Sequence, residues 1–509
     1  MSFSVLSLIL SAGVLVEPFP LAQSEPGHHQ VCLRAAMAAD GHFAVAWVDS
    51  LQLPDRYELD IFIRFFDKSG SALTEPYKLN KLADTNWVYW PCLDMDAAGN
   101  AFLIWEERTD TREDFSDIRF QCFTPDGVPI ETAQTLQDSL ILQAWRPIGL
   151  GLAPGGRFAV TWSETKEEHP GVYNIYVRRY DVDGTPLDTV FLPNEEITKF
   201  DFVYFFPNAA LNDAGDLVIT WLHFKETMKI FPLFQVFDPE DTSILGWEPM
   251  GHRVDDGDYG HNVTRSFPFW LDDCRFVVFW WDAPPEGLLG RVFSDRGTTR
   301  NPIREVLHHE PFAMSLGDPK ATFSIDVSSD ERFVYTYARN LYHGDDYMHP
   351  WVHHVGILGE IADDMPERKT SIFEYSHPWD EDTVTYLNTQ PPAVSVNNDQ
   401  IVWVYSRLNI DTIYEAWVTI TDWDMGEGIV EEPLVNVSPV KLFSTLNRLS
   451  YEVPGEAVLT LYNSAGRRVA EDVIHGKGEW QAVNIPSGVY FARVENTQGS
   501  ARAKVVIVR

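Results

Sequence analysis

Seven residues that titrate or carry charge occupy one position of a repeated strand pattern, two residues after the aromatic residue that ends the strand. They are Asp49, Glu107, Glu164, His223, Asp282, Arg339 and Arg407. Cleavage of a glycosidic bond requires a pair of carboxyl groups roughly 5 to 10 Å apart, one acting as the acid and the other as the base or nucleophile. If the chain is catalytic, the candidate catalytic residues are therefore Glu107, Glu164 and Asp282.

The same charged positions have a structural interpretation, because basic side chains stand near the end of the next predicted strand. The expected ion pairs are Asp49 with Arg64, Glu164 with Arg178, and Asp282 with Arg291. Opposite charges on neighbouring strands stabilise a sheet. This interpretation is the one we favour, and on it no catalytic residue is assigned.

Aromatic residues gather in the segments between the strand groups, close to acidic residues. The predicted ligand-binding residues among them are Trp87, Trp90, Trp145, Tyr204 and Trp379. Aromatic faces beside carboxylates suit sugar rings, and they suit cationic peptides through cation–π contacts. The alternative is that these aromatics fill the joints between neighbouring strand groups.

Metal sites are weakly indicated. The oxygen-rich stretch with Asp255, Asp256 and Asp258 has side chains that calcium prefers, as does the segment 94–100, but neither completes a ligand loop. No zinc spacing, phosphate loop or nucleophile elbow occurs. We predict no cofactor, with calcium as the one metal that the sequence leaves open.

These residues must be positioned by a repeat of about 58 residues, in which an aromatic anchor closes a short apolar strand. The anchors are Trp47, Trp105, Trp162, Trp221, Trp280, Tyr337 and Tyr405. A turn such as Asp40-Gly41 precedes the strand, a third strand follows it, and a polar fourth segment completes the unit. Four strands repeated seven times predict a seven-bladed β-propeller over residues 17–433, with a solenoid as the alternative.

The sequence alone does not decide which strand closes the ring. Residues 17–21 match residues 75–79 at an offset of 58, so the N-terminal segment resembles the outer strand of a preceding unit. It would then complete the seventh blade. Alternatively, the seventh blade supplies its own fourth strand near Glu432.

Composition excludes some classes of partner. The chain has 509 residues, 45% of them hydrophobic, and a formal net charge of −36. Such a charge repels phosphate backbones and anionic lipid surfaces, so nucleic acid is not expected as a partner. The longest apolar run, residues 3–16, is too short to span a membrane, so no transmembrane segment is predicted. Four cysteines do not make a disulfide framework, and Cys32 and Cys92 are interpreted as small core residues.

The repeat resembles a family of bacterial extracellular propeller repeats, in which one strand ends in Val-x-Trp and a later strand has the pattern Arg-x-Phe-Asp-x-x-Gly, as in residues 64–70. It is more loosely similar to sialidase-type propellers. Their Asp-box, Ser-x-Asp-x-Gly-x-x-Trp, is absent; residues 96–105 share only an acid, a glycine and a tryptophan with it.

From residue 434 to 509 a shorter all-β pattern predicts an Ig-like sandwich. It resembles the C-terminal sorting domain of the type IX secretion system of Bacteroidota, through Leu461-Tyr462, Gly466-Arg467, the segment 486–491 and a basic end. Residues 437–440 depart from the family's Asn-Pro-Phe opening. The resemblance implies the type IX machinery as a partner. A purely structural tail is the alternative.

Export of this kind also implies a signal peptide, and residues 1–16 have the apolar middle of one without preceding basic residues. We therefore predict an atypical or truncated signal there, against the alternative of a buried first strand. The functional hypothesis is a secreted or cell-surface propeller that binds a polysaccharide, glycoprotein or protein ligand through its rim loops. The alternative is a polysaccharide-degrading hydrolase or lyase; whether the chain is an enzyme is left open, with binding favoured.

Overall fold

The described part of the chain consists of strands and turns, and it divides into two compact units at the junction of residues 430 and 431. The computed structural model describes residues 13–52, 57–80, 88–107, 116–140, 148–165, 172–193, 202–225, 229–240, 242–244, 251–254, 263–282, 287–294, 304–308, 323–343, 346–362, 365–378, 392–408, 413–423, 429–430, 441–445, 448–463, 467–481, 485–496 and 499–507.

The strands are numbered in chain order. Up to residue 253 they are β1 (Val14–Pro20), β2 (His28–Met37), β3 (Phe43–Gln52), β4 (Tyr57–Phe66), β5 (Tyr77–Lys78), β6 (Val88–Met95), β7 (Ala101–Glu107), β8 (Ser116–Phe123), β9 (Gln134–Leu140), β10 (Gly149–Leu152), β11 (Phe158–Thr165), β12 (Tyr173–Tyr180), β13 (Phe202–Leu211), β14 (Leu217–Lys225), β15 (Lys229–Phe237) and β16 (His252–Arg253). After it they are β17 (Val263–Asp272), β18 (Arg275–Asp282), β19 (Gly287–Ser294), β20 (Arg304–His308), β21 (Phe323–Val327), β22 (Arg332–His343), β23 (Asp346–Ala362), β24 (Met365–Pro378), β25 (Ala393–Val396), β26 (Ile401–Leu408), β27 (Tyr414–Thr421), β28 (Ile429–Val430), β29 (Lys441–Thr445), β30 (Arg448–Asn463), β31 (Arg468–Gln481), β32 (Gly488–Asn496) and β33 (Gly499–Ile507).

Seven sheets follow one another in the first unit, and we call them blades one to seven. In order they are β2-β3-β4-β5, β6-β7-β8-β9, β10-β11-β12, β13-β14-β15-β16, β17-β18-β19-β20, β21-β22-β23-β24-β28 and β25-β26-β27-β1. Each begins with the hairpin that the turn signals predict, and the first-named strand of a blade is its inner strand. In blade three, an isolated bridge between Val177 and Phe191 stands where the other blades have a fourth strand.

The anchors of the repeat are large side chains buried in the blades. All seven, from Trp47 in blade one to Tyr405 in blade seven, are no more than 2% exposed. A tryptophan that buries about 200 Å² gains roughly 5 kcal/mol of hydrophobic free energy before conformational entropy is subtracted. The repeat therefore marks the centre of each blade's core.

The blades close a ring. Each neighbouring pair of blades shares one cluster of buried apolar side chains, and this holds for all seven pairs. The cluster between blades seven and one joins Val402 and Val418 to Phe43 and Trp47. Since the seventh sheet packs against the first, the unit is a seven-bladed β-propeller, which confirms the predicted fold class.

The N-terminal strand completes blade seven. In β1, Val16 pairs with Ile420 and Phe19 pairs with Val418 of β27. Just after it, Leu21 N donates to Ala416 O over 2.8 Å. The N-terminal segment therefore completes the seventh blade, which is one of the two closures that the sequence allows. The short strand β28 pairs in parallel with β24 of blade six.

Strand β1 begins at Val14, so the last three residues of the predicted signal segment lie in the blade-seven sheet. Residues 1–12 lie outside the described residues, and the signal peptide stays a prediction. No described helix is long and apolar enough to cross a membrane.

The second unit is an antiparallel sheet of five strands around its own core. The long strand β30 pairs with β31 along one edge, and with β29 and β32 at opposite ends of the other; β33 pairs with β32. Leu449, Leu459, Leu461 and Val494 are fully buried in it. The unit is all-β, as expected. Its Ig-like classification and its role in sorting stay predictions.

Leucine truncation at the closing segment tests how much the ring depends on it. Leu21 is fully buried in the cluster between blades seven and one, whereas Leu15 on β1 is 48% exposed. We expect Leu21→Ala to lower the free energy of unfolding by about 2–5 kcal/mol, because it leaves a cavity at the closure. Leu15→Ala should change it by less than about 0.5 kcal/mol. Urea unfolding followed by tryptophan fluorescence compares the two; equal effects would show that the closure does not limit stability.

Candidate functional site

The charged positions after the anchors do not form the ion pairs expected from the sequence, and that prediction is wrong. In the register, Asp49 faces Asp60, Glu164 faces Asn174 and Asp282 faces Gly287. The strands run antiparallel, so a residue two positions after the anchor faces one that stands early in the next strand. The expected arginines lie late in that strand, about four residues away from the acids.

The acids nevertheless have partners in their own blades. Glu107 is 2% exposed, and its Oε2 lies 3.3 Å from Arg119 Nε. Burial raises the pKa of Glu107, and the Arg119 charge opposes the rise. Glu164 Oε2 accepts a hydrogen bond from Trp162 Nε1 over 3.1 Å. The side chain of Asp282 lies outside the description.

A similar arrangement holds Asp49 and Glu106. Asp49 contacts His28, and burial raises the pKa of Asp49 while the hydrogen bond from His28 lowers it. Glu106 accepts a hydrogen bond from Ser116 Oγ over 2.6 Å. The described acids at the ends of these strands are thus held by their neighbours in the sheet.

Of the predicted ligand-binding aromatics, Tyr204 is the one whose side chain is described. It is 2% exposed and lies in the cluster between blades three and four, with its ring 6.4 Å from Trp221 and 5.1 Å from His223. This is the placement of the alternative interpretation, in which the aromatics fill the joints. Trp90 lies in β6 with its side chain undescribed. Trp87, Trp145, Trp379, Asp255, Asp256 and Asp258 lie outside the described residues. Among the residues that are described, no group of three His, Cys, Asp or Glu side chains could hold a metal ion.

The inner strands place a different set of polar residues around the axis of the ring. Four of these strands, β2, β6, β13 and β17, carry a register shift in their pairing with the second strand of the blade. The residues that directly follow the shifts are Arg34, Cys92, Asn208 and Arg265. A β-bulge adds one residue to one strand and re-aims the side chains after it. Two bulge residues, Cys32 and Phe206, adopt left-handed φ values of 54° and 53°.

Arg265 interacts electrostatically with residues on the far side of the ring. It belongs to blade five, yet its charge interacts with Arg34 of blade one and Cys92 of blade two, which lie three blades away in either direction. Burial, and after it the charge of Arg34, lower the pKa of Arg265 to about 9, while Cys92 opposes this change. We call Arg34, Cys92, Asn208 and Arg265 the channel mouth.

Two carboxylates also lie on inner strands, Asp94 on β6 and Asp326 on β21, and we call them the carboxylate pair. Asp94 follows Cys92 by two residues, which is about 7 Å along a strand. Burial raises the pKa of Asp94 to about 7, with Asp326 adding to the rise and the Met95 N–H opposing it. Asp94 is nevertheless exposed to solvent. A carboxylate that water reaches but that the blades surround is one that lines a narrow channel.

Asp326 also joins two blades. Its Oδ2 accepts hydrogen bonds from Ser395 Oγ over 2.9 Å and from Val396 N over 2.8 Å, both in blade seven. Burial raises its pKa to about 6 against these hydrogen bonds. Asp326 therefore fixes the inner strand of blade six to that of blade seven, and its charge interacts with Asp94 of blade two.

At this level, the described inner strand of blade three carries glycines, because its backbone lies against the inner strand of blade four. A Cβ on Gly149 would lie 2.7 Å from Pro207 O, and one on Gly151 would lie 2.8 Å from the carbonyl carbon of Ala209. Only glycine allows the two backbones to approach in this way.

Sequence reasoning missed most of this channel. It did not single out Arg34, Arg265 or Asp326, and it assigned Cys92 to the core and Asp94 to a weak calcium segment. Cys92 Sγ contacts Ile148 O at 3.1 Å, and all four cysteines are unbridged. A usable signal was present, since charged residues occupy inner-strand positions that other blades fill with uncharged residues.

No protein-family model and no curated protein matches the chain. Solved structures resemble it weakly. A protein of unknown function from Dyadobacter fermentans has a TM-score of 0.42 at 11% identity, over 80% of this chain and 98% of that one. A Hadza microbial sialidase has a TM-score of 0.40 at 12% identity, over 75% and 77%. An α-L-arabinofuranosidase of Fusarium graminearum has a TM-score of 0.36 at 9% identity, over 81% and 97%. At these values the fold assignment rests on the strand pairings and clusters of this chain.

The raised pKa of Asp94 predicts a pH-dependent stability. A carboxyl whose pKa is about 7 in the folded protein and near 3.8 when unfolded binds its proton more tightly in the folded state. Stability is therefore lost as the pH rises from about 4 to 7. We expect Asp94→Asn to raise the melting temperature by about 1–3 °C at pH 8 and to leave it unchanged at pH 4. The control is Asp126→Asn on the exposed turn of blade two. A gain at both pH values would mean that charge at Asp94 is not its cause.

Proposed function

We propose that the propeller is a binding module that recognises a polysaccharide, glycoprotein or protein ligand at its rim. The observation that carries this proposal is the engagement of the candidate catalytic acids. Glu107 contacts Arg119 and Glu164 accepts from Trp162, each within its own blade. An acid held in this way is part of the sheet and not a group free to exchange protons with a substrate.

Hydrolysis of a glycosidic bond sets a stricter demand, since it needs two carboxyl groups that face each other across the bond. Among the described acids, Asp94 and Asp326 interact electrostatically with each other, and both lie on inner strands of the ring. A saccharide chain lying across the rim would not bring its glycosidic bond between them. Binding therefore fits the described geometry better than cleavage.

We also propose that the protein acts outside the cell and that residues 434–509 direct its export through the type IX machinery. The separate core of the second unit supports this, because an export signal read by another protein must fold as a part of its own. The resemblance of its sequence to sorting domains is the other support.

A binding screen combined with an activity screen tests the first proposal. We expect the full chain to bind members of a glycan or glycoprotein array, and to release no reducing ends from the same polysaccharides. Glu107→Gln should lower the free energy of unfolding by about 1–3 kcal/mol, because Arg119 loses a charged partner, without changing ligand affinity. Glu164→Gln is the matched variant in the next blade. Release of reducing ends that both variants abolish would establish the hydrolase instead.

A fusion tests the second proposal. Residues 434–509 joined to a periplasmic reporter should carry it to the surface of a bacterium that has the type IX system, and protease accessibility measures this. The reporter alone should stay inside. A fusion that also stays inside would leave the second unit as a structural tail.

A further inference from the structure

Arg265 is a buried cation that no acid pairs with in the part of the chain that the structure describes. It is 7% exposed, and its Nε is buried with no hydrogen-bond partner among all residues of the chain that the structure describes. Its guanidinium lies against the rings of Phe206 and Phe267, 5.8 and 5.6 Å from their centroids. Cation–π contacts stabilise such a group only partly, and an unpaired buried charge is costly.

Arg34 faces Arg265 from the other side of the channel and increases the cost. Its Nη1 donates to Leu33 O over 2.7 Å, and no described carboxylate contacts it. Two guanidinium groups of like charge thus interact with each other, in a chain whose formal net charge is −36. With 75 acidic residues in the chain, the lack of an acid beside Arg265 among the described residues points to a site that an anion fills from outside.

We propose that the channel mouth binds the anionic oxygen group, carboxylate or sulfate, of an acidic sugar. Arginine suits this role because its planar fork of N–H groups donates two parallel hydrogen bonds to such a group. Arg34 and Arg265 approach from opposite sides of the channel and so can clamp one group between them. The site lies on the axis of the ring, and it is independent of the rim contacts of the proposed function.

The carboxylate pair sets the depth and the charge of the ligand. Asp94 lies about 7 Å beyond Cys92 along β6, and together with Asp326 it repels an anion that moves farther in. The ligand therefore stops with its charged group between the arginines and its neutral sugar ring toward the interblade links. A second negative charge on the same sugar would meet the carboxylate pair and weaken binding.

The same geometry makes the affinity depend on pH. The charged or titratable groups near the mouth are Arg34 from β2, Cys92 and Asp94 from β6, Arg265 from β17 and Asp326 from β21. The described residues of the other inner strands are uncharged there: glycine on β10, Asn208 on β13 and Ser395 on β25. As the pH falls from 8 to 5.5, the carboxylate pair takes up protons and its repulsion is lost. Anion affinity should therefore rise on acidification.

The test uses the full chain and three monosaccharides, with calorimetry as the readout. Glucuronate and glucose 6-sulfate carry the two anionic groups, and glucose carries neither. We expect at least one of the anions to bind and glucose not to bind, with affinity roughly threefold or more higher at pH 5.5 than at pH 8. Which anion binds identifies the group. The proposal is overturned if neither anion binds, or if glucose binds equally well.

A matched pair of buried arginines separates binding from folding. Arg265→Met removes the unpaired charge, and we expect at least tenfold weaker anion binding with an unchanged or higher melting temperature. Arg179 is equally buried at 4% exposure but bonds Asp188 and the carbonyls of Asp238 and Pro239. Arg179→Met should lower the melting temperature and leave anion affinity unchanged. Wild-type affinity in both Arg265→Met and Arg34→Met would refute the site.

Because the probes are monosaccharides and the variants lie on the axis, this proposal can fail while rim binding on an array succeeds. It can equally hold for a chain that binds no polymer.

Discussion

The packing of each blade's apolar face against the next blade is the interaction on which the rest of the structure depends. An isolated four-stranded sheet exposes two faces, and neither the anchors nor the residues around them could be buried within it. Seven such sheets bury both faces of each only if the seventh meets the first. The blade faces are therefore buried only when the ring is closed. Strand β1 closes it by joining the first and last parts of a propeller that is more than 400 residues long. Leu21 lies at this junction, with its backbone N–H on blade seven and its side chain in the cluster shared with blade one.

Ring closure also creates the channel. The inner strands run side by side around one axis, so residues far apart in the sequence, such as Arg34 and Arg265, become neighbours. No single blade could assemble them. Enclosure has an electrostatic consequence as well, because charges surrounded by protein interact more strongly than charges on an open surface. The raised pKa values of Asp94 and Asp326 and the lowered pKa of Arg265 all follow from this one geometric fact.

The sequence could predict the ring but not the channel, and the reason is physical. Burial of the anchors repeats with the fold, so Trp47 and its counterparts are visible as a period. The match of residues 17–21 to residues 75–79 even indicated the closing strand, though not which of two closures occurs. The positions of the channel residues recur with the repeat, as for Arg34 and Cys92, but their residue types do not. In four blades a bulge also inserts one residue and changes which side chain turns inward. The bulges at Cys32 and Phe206 have no signal in residue type. The wrong ion pairs failed for a related reason: position along a strand was clear, whereas the cross-strand partner depends on the direction in which the strand runs. The aromatic residues of the rim loops stay predictions.

Arg265 connects the stability of the ring to its function. A protein that keeps an unpaired cation at its centre is less stable than one with methionine in the same place, so folding alone does not explain the residue. A ligand that binds only the folded state adds stability that grows with the logarithm of its concentration divided by its dissociation constant. The anion would then act on the whole ring, because Arg34 and Arg265 belong to blades one and five and a clamp between them ties opposite sides of the cycle together. The carboxylate pair opposes this effect when ionised and permits it when protonated. A lower pH and a higher anion concentration would thus both increase the stability of the folded propeller.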